Sequence, residues 1–146
     1  MIKNIYFEWI PIATCFKIQE RALRFVFKDF DSTYENLLLL AKMPSIKCMI
    51  DRKIATEVFK AVNKMGPEYI SDLFKLKVNT AHLRGRNKLE IPSVNTTKYG
   101  LHSIAYYGAK LWNALPEHFR LCDSLSEFKR LICNWNGFSC KCNLCK

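Results

Sequence analysis

The sequence predicts a small, mainly α domain, and three observations carry that prediction. Apolar residues recur at three- and four-residue steps in several stretches. Ser-x-x-Glu boxes and a Gly-Pro pair punctuate those stretches, and runs of strand-like alternation are short. With 146 residues, 49% of them hydrophobic, the chain can bury a single core without disulfide staples.

The N-terminal stretch begins with Lys3 and an apolar run, "IYFEWIPIATCF", that imitates a secretory leader. Glu8 sits inside the run, Pro11 breaks it, and no small-residue cleavage pair follows. The longest uncharged piece, "WIPIATCF", is far shorter than the roughly 20 residues a membrane span needs. Seven cysteines cannot all pair internally, and Cys140 and Cys142 are too close to bridge. The expectation is an intracellular chain, cytoplasmic or nuclear, with no membrane partner.

"KIQERALRFVFKD" reads as a helix with Ile18, Ala22, Phe25 and Val26 on the inward face and Glu20, Arg21, Arg24 and Lys28 mostly outward. In "STYE", Ser32 and Glu35 form a capping box for a short helix through "NLLLLAK". A longer helix is expected from about Ser45 to Met65, its stripe made by Ile46, Ile50, Ile54, Val58, Ala61, Val62 and Met65. Gly66 ends it and Pro67 opens a short turn of helix over "PEYISDLF". "KVNTAHLRGRN" has no periodicity and reads as a loop. "KLEIPSV" alternates briefly, and Pro92 confines any strand there to an edge. Helices resume over "HSIAYYGAKLWNAL" and from Pro116. A second capping box, Ser124 with Glu127, opens a helix carrying Leu125, Phe128, Ile132 and Trp135 and ending at Gly137.

The formal charge is +10, an excess that points to polyanionic partners, nucleic acid first and anionic membrane second. It is concentrated. Between Lys75 and Lys98 lie six basic residues and a single acid, Glu90, so half of the net charge occupies one-sixth of the chain. Arg84, Arg86, Lys88 and Lys98 are the candidates for phosphate contact, against the alternative of a solvated loop.

Catalytic chemistry is hard to find. The scattered glycines make no phosphate-cradling loop, and His82, His102 and His118 fall in separate segments without a nucleophile beside them. Asp29 and Asp31 are better read as capping residues than as a metal pair. Cys15, Cys48, Cys122 and Cys133 sit among apolar neighbours, the setting of small core residues. Trp112, Phe119, Phe128 and Trp135 fall on apolar stripes and read as core. Tyr106 or Tyr107 is the better candidate for stacking on a base. The chain is not expected to be an enzyme.

The C-terminus reads "CKCNLCK". The turn between Cys142 and Cys145 suits two thiolates on one Zn²⁺, and Cys140 can supply a third. Cys133, His118 or Cys122 is a candidate fourth ligand, as is a group from a partner chain. Lys141 would place positive charge on such a knuckle. The alternative is a tail of reactive thiols.

The segments "KIQERALRFVF", "YENLLLLAKMPSI", "YGLHSIAYYGAKLWNALPEHFR" and "SLSEFKRLICNWNG", with "CKCNLC" behind them, come in a familiar order. Together they resemble the extreme C-terminus of the polymerase polyprotein of non-long-terminal-repeat (LINE-type, jockey-like) retrotransposons. Leu-Trp-Asn-x-Leu-Pro followed by Ser-x-x-x-Phe-Lys is the most specific part. The resemblance covers roughly residues 16–146. It implies a divergent extension over 1–15, a helical post-thumb-like domain over 16–136 with a basic loop at about 75–98, and a cysteine tail over 137–146. It also places Cys140, Cys142 and Cys145 at the family's Cys-x-Cys-x-x-Cys positions.

Reverse transcription in that family needs adjacent aspartates in a palm domain; this sequence has no Asp-Asp pair and no room for a palm. What the resemblance implies is a non-catalytic fragment that binds RNA or an RNA–DNA hybrid, with upstream polymerase domains as a further partner. A protein-docking module for a polymerase core and an inert remnant of a degraded element are the alternatives.

Overall fold

In the computed structural model, the described residues are 12–77, 87–95, 100 and 103–135. They are mainly helical, with α1 over Ile12–Phe27, α2 over Tyr34–Ala41, α3 over Ile46–Val62, α4 over Glu68–Ser71, α5 over Ile104–Ala114, α6 over Glu117–Arg120 and α7 over Leu125–Cys133. One antiparallel bridge, Leu76 to Leu89, is the extended pairing among them. The described residues divide into two compact units, a smaller one up to Ile50 and a larger one from Asp51 onward, the division falling inside α3.

In the smaller unit, Gln19 ties three segments together. Its Oε1 accepts from the Tyr34 hydroxyl and from the Ile46 amide at 2.9 Å, while its Nε2 donates to the Pro44 carbonyl at 3.2 Å. The Phe16 ring meets Tyr34 edge-on at 5.9 Å. Phe16, Gln19 and Leu23, at i, i+3 and i+7, therefore form the inward line of α1, and Leu23 is buried.

That corrects the expected inward face. Ile18, Phe25 and Val26 are 61%, 81% and 69% exposed, and Ala22 is exposed with them. Periodicity marks an apolar stripe on a helix, but here a polar residue, Gln19, marks the side that packs. The cap of α2 is also corrected. Thr33, not Ser32, is the N-cap and accepts from the Asn36 amide. Ser32 instead belongs to the preceding turn, where Asp29 Oδ1 accepts from the amides of Asp31 and Ser32. Bonds from Ser32, side chain before backbone, hold the Asp29 carboxyl below its ordinary pKa. Asp29 thus stabilises the turn between α1 and α2 rather than capping a helix as expected.

Three helices end on a lysine in the left-handed region: Lys28, Lys42 and Lys64, with φ of 52°, 51° and 53°. In each case the following amide reaches back five residues, Asp29 to the Arg24 carbonyl, Met43 to Leu38 and Met65 to Lys60, as in a Schellman closure. The long helix thus stops at Val62, ahead of the expected terminator Gly66, because Lys64 has already turned the chain. Met65, expected on the buried stripe, is exposed as a result.

The larger unit holds the main core. Phe128 is fully buried and stacks on Phe59 at 4.4 Å between ring centroids, with Trp112 at 6.1 Å and Phe119 edge-on at 6.5 Å. Ala55, Val58 and Leu111 pack into the same cluster. Trp112, Phe119, Phe128 and Trp135 are all buried, as their periodicity predicts. Gly108 lets α5 approach closely: a Cβ there would lie 3.0 Å from Val58 Cγ2 and 3.2 Å from the Phe74 ring. Ser124 caps α7 by position, but its hydroxyl pairs with that of Ser126 at 2.7 Å rather than with an amide. That helix stops at Cys133, short of the expected Gly137, and Arg52 Nε holds the Trp135 carbonyl beyond it at 2.8 Å.

Three outcomes follow from this packing. Phe128→Ala is expected to cost about 3–5 kcal/mol in urea denaturation, since it removes the ring on which three others converge. Lys64→Gly is expected to add about 0.5–1 kcal/mol, because a left-handed backbone strains a residue with a Cβ more than glycine's extra unfolded-state freedom costs. The third outcome concerns pH. Tyr107 donates to Asp51 Oδ1 at 2.7 Å, and burial first, then that bond and charge, push its phenol above the ordinary value of 10. The folded state therefore keeps a proton that the unfolded state releases above pH 10, so this contribution is complete below pH 10 and fades as pH rises beyond it. Tyr107→Phe should flatten that alkaline loss in denaturation curves taken from pH 9 to 11.

Candidate nucleic-acid interface

The described ends of the basic segment are held side by side. The Lys77 amide donates to the Lys88 carbonyl and the Glu90 amide to the Lys75 carbonyl, both at 2.8 Å, around the bridge between Leu76 and Leu89. Residues directly opposite in an antiparallel pair share a face, so Lys75 stands opposite Glu90 and Lys77 opposite Lys88. Leu89 is buried in the core and Leu76 opposite it is half-exposed, while on the other face Lys75, Lys77 and Glu90 are exposed and Lys88 is half-buried. Lys75 has an acid across from it. Lys77 and Lys88 have each other, a like-charge juxtaposition that an anion relieves.

Helix α5 grips this root from below. Asn113 acts as a strand would: its Oδ1 accepts from the Leu89 amide and its Nδ2 donates to the Leu89 carbonyl, both at 2.8 Å. The neighbouring Trp112 donates its indole N–H to the Asn87 carbonyl at 2.7 Å. Asn87 takes the left-handed conformation, φ 57°, which asparagine tolerates, and its Nδ2 donates to the Arg120 carbonyl at 3.3 Å. The Arg120 side chain is itself buried, with no acceptor at Nε or Nη1, and burial pulls its pKa below the ordinary value against the charge of Glu117. "LWNALPEHFR" is thus the stretch that positions the root: Leu111 and Trp112 anchor in the core while Trp112 and Asn113 spend their polar atoms on residues 87 and 89.

Of the residues singled out from sequence, Lys88 lies at this root and is half-buried. Arg84, Arg86, Lys98, Lys141, Cys140, Cys142 and Cys145 lie outside the described residues. Tyr107 is committed to Asp51, which leaves the half-buried Tyr106 as the freer of the two tyrosines. Lys77 and Asn113 were not among the candidates. No local sequence signal marks Asn113, which lies 24 residues from Leu89 along the chain.

The candidate fourth zinc ligands differ in setting. Cys133 is exposed at the end of α7, a correction to its reading as a core residue. Cys122 is half-buried, and its thiol donates to the His118 carbonyl at 3.2 Å. Burial, then the charges of Glu127 and Asp123, push that thiol up, away from the thiolate a zinc site needs. His118 is exposed, with its ring 4.6 Å from that of Phe119. Among the described residues no three His, Cys, Asp or Glu side chains converge on a common point. Of the three candidates, Cys133 and His118 are exposed and Cys122 is not.

The chain matches no protein-family model, no curated protein and no solved structure.

Asn113→Leu is expected to cost about 2–4 kcal/mol, because the amide and carbonyl of buried Leu89 both lose their partner. Asn113→Asp should be nearly as costly, since it turns a carboxylate oxygen toward the Leu89 carbonyl. Urea denaturation checks both.

Proposed function

We propose that this chain is a non-catalytic nucleic-acid-binding segment that holds the phosphates of RNA or an RNA–DNA hybrid at the root of its basic loop. The single observation behind the reading is the outward pairing of Lys77 with Lys88 on a backbone held by Asn113. Two lysines fixed opposite one another, in a chain of net charge +10, make a preorganised place for a phosphate. Arg84, Arg86 and Lys98 extend the same charge along the chain. The resemblance of the "LWNALPEHFR" block to the C-terminal segment of LINE-type reverse transcriptases supports the reading, since this block builds the root. A zinc knuckle of Cys140, Cys142, Cys145 and Cys133, carrying Lys141, would add a second basic contact. No described helix is long and apolar enough to cross a membrane.

Titration of a labelled structured RNA across a range of salt tests the proposal. Affinity should fall steeply with salt, and Lys77→Ala with Lys88→Ala should reduce the log–log slope by about 0.7–0.9 per lost phosphate contact without altering the fold. If a zinc chelator weakens binding, the tail holds a metal. Salt-insensitive binding, or none at low salt by the folded chain, would overturn the reading.

A second reading has an observation of its own. The outer face of α1 leaves Ile18, Phe25 and Val26 largely in water, as a protein-docking surface does.

A further inference from the structure

Helix α1 has three distinct faces. At about 100° per residue, Gln19, Leu23 and Phe16 fall together on the side tied to Tyr34, Pro44 and Ile46. Phe25, Ile18, Ala22 and Val26 cover an adjoining arc of about 100°, and all four are exposed. Arg21 lies about 40° beyond the Phe25 edge of that arc and Lys17 about 40° further round, both exposed and without an ion pair among the described residues. The nearby acid, Glu20, is taken by Arg24 at 2.8 Å.

We infer that this face docks an acidic amphipathic helix of a partner protein, a proposal that rests on the docking reading of the exposed apolar stripe. Spacing and charge carry it. Ile18, Ala22, Phe25 and Val26 stand at i, i+4, i+7 and i+8, the anchor spacing of one helix laid along another. The stripe is as wide as a helix–helix seam and is bordered by charge on one edge only; its other edge is the inward face. A complementary partner therefore carries an apolar line with glutamates or aspartates along one side of it.

A second copy of this chain fits poorly. Antiparallel two-fold pairing of the stripe brings Lys17 and Arg21 against their own counterparts, and the net charge of +10 adds repulsion. A lipid surface fits less well than a helix. An interfacial helix needs a broad free arc with charge above both edges of its apolar face, whereas α1 gives one edge to its own unit.

The test uses the full chain and two synthetic helical peptides, each about five turns long with leucines at i, i+4, i+7 and i+8. One carries glutamates along a single flank of the leucines, the other lysines. The acidic-flanked peptide is expected to bind at least about tenfold more tightly at low salt. Lys17→Glu with Arg21→Glu should reverse that preference. Phe25→Gln should weaken binding of the acidic peptide at least about tenfold, with circular dichroism and thermal unfolding unchanged because the side chain is exposed.

Equal binding of both peptides would leave the docking reading standing and overturn the acidic partner. A concentration-dependent dimer in light scattering, lost in Phe25→Gln, would assign the face to a second copy. Partition onto phosphatidylserine vesicles without peptide binding would assign it to a membrane. Failure of peptides, dimer and vesicles together would remove the docking reading as well.

Discussion

The paired hydrogen bonds between Asn113 and the backbone of Leu89 are the constraint on which the proposed phosphate-binding face depends. They give the backbone of one extended residue, Leu89, the partner that a neighbouring strand would normally supply. Without them the amide and carbonyl of a buried leucine would be left unpaired, each at a cost of about 1–3 kcal/mol. With them, the chain enters and leaves the basic loop at a defined place, and the lysines on either side of Leu76 and Leu89 acquire a defined direction. Trp112 supports the same arrangement from the core. Its ring packs among Phe59 and Phe128 while its indole N–H holds the carbonyl of Asn87. One side chain thus joins the apolar interior to the polar root.

The core explains why α5 can act as that grip. Gly108 brings α5 against Val58 and Phe74, so the helix carrying Trp112 and Asn113 is seated firmly in its own unit. Phe128 then closes the cluster, touching rings from α3, α5 and α6. Among the described residues between α4 and α5, Asn87 and Leu89 are held by Trp112 and Asn113 of α5.

What could be read from sequence follows from which physical signals are local. The helices of the larger unit announced themselves because apolar burial and helical period coincide there: Val58, Phe128 and Ile132 are buried as their spacing requires. On α1 the two signals part. The most regular apolar stripe is the exposed one, and the packing side is marked by a glutamine whose role emerges only when Tyr34, Pro44 and Ile46 are brought around it. Helix ends were misplaced for a related reason. Glycine is the usual residue for a left-handed close, so Gly66 looked like a terminator while Lys64 did the work. The root of the loop was half legible. Its charge is plain in the composition, but the opposition of Lys77 to Lys88 depends on a register that only Asn113 reveals, 24 residues downstream of Leu89.

Charge and apolar exposure fall on different parts of this chain, and that separation bears on how it would work. The Lys77–Lys88 face belongs to the larger unit and presents paired charge beside the half-exposed Leu76 and Ile91, and its charge suits a solvated polyanion whose counterions are released on contact. The α1 face belongs to the smaller unit and pairs a dry stripe with charge on one edge, which suits a partner that excludes water along one line and meets the charge along another. A nucleic acid offers no such line, and an acidic helix offers no row of closely spaced phosphates. The two surfaces therefore need not compete for one ligand. On the two proposals, phosphates would be held by the larger unit and a partner helix by the smaller, so one chain would engage both without a shared site.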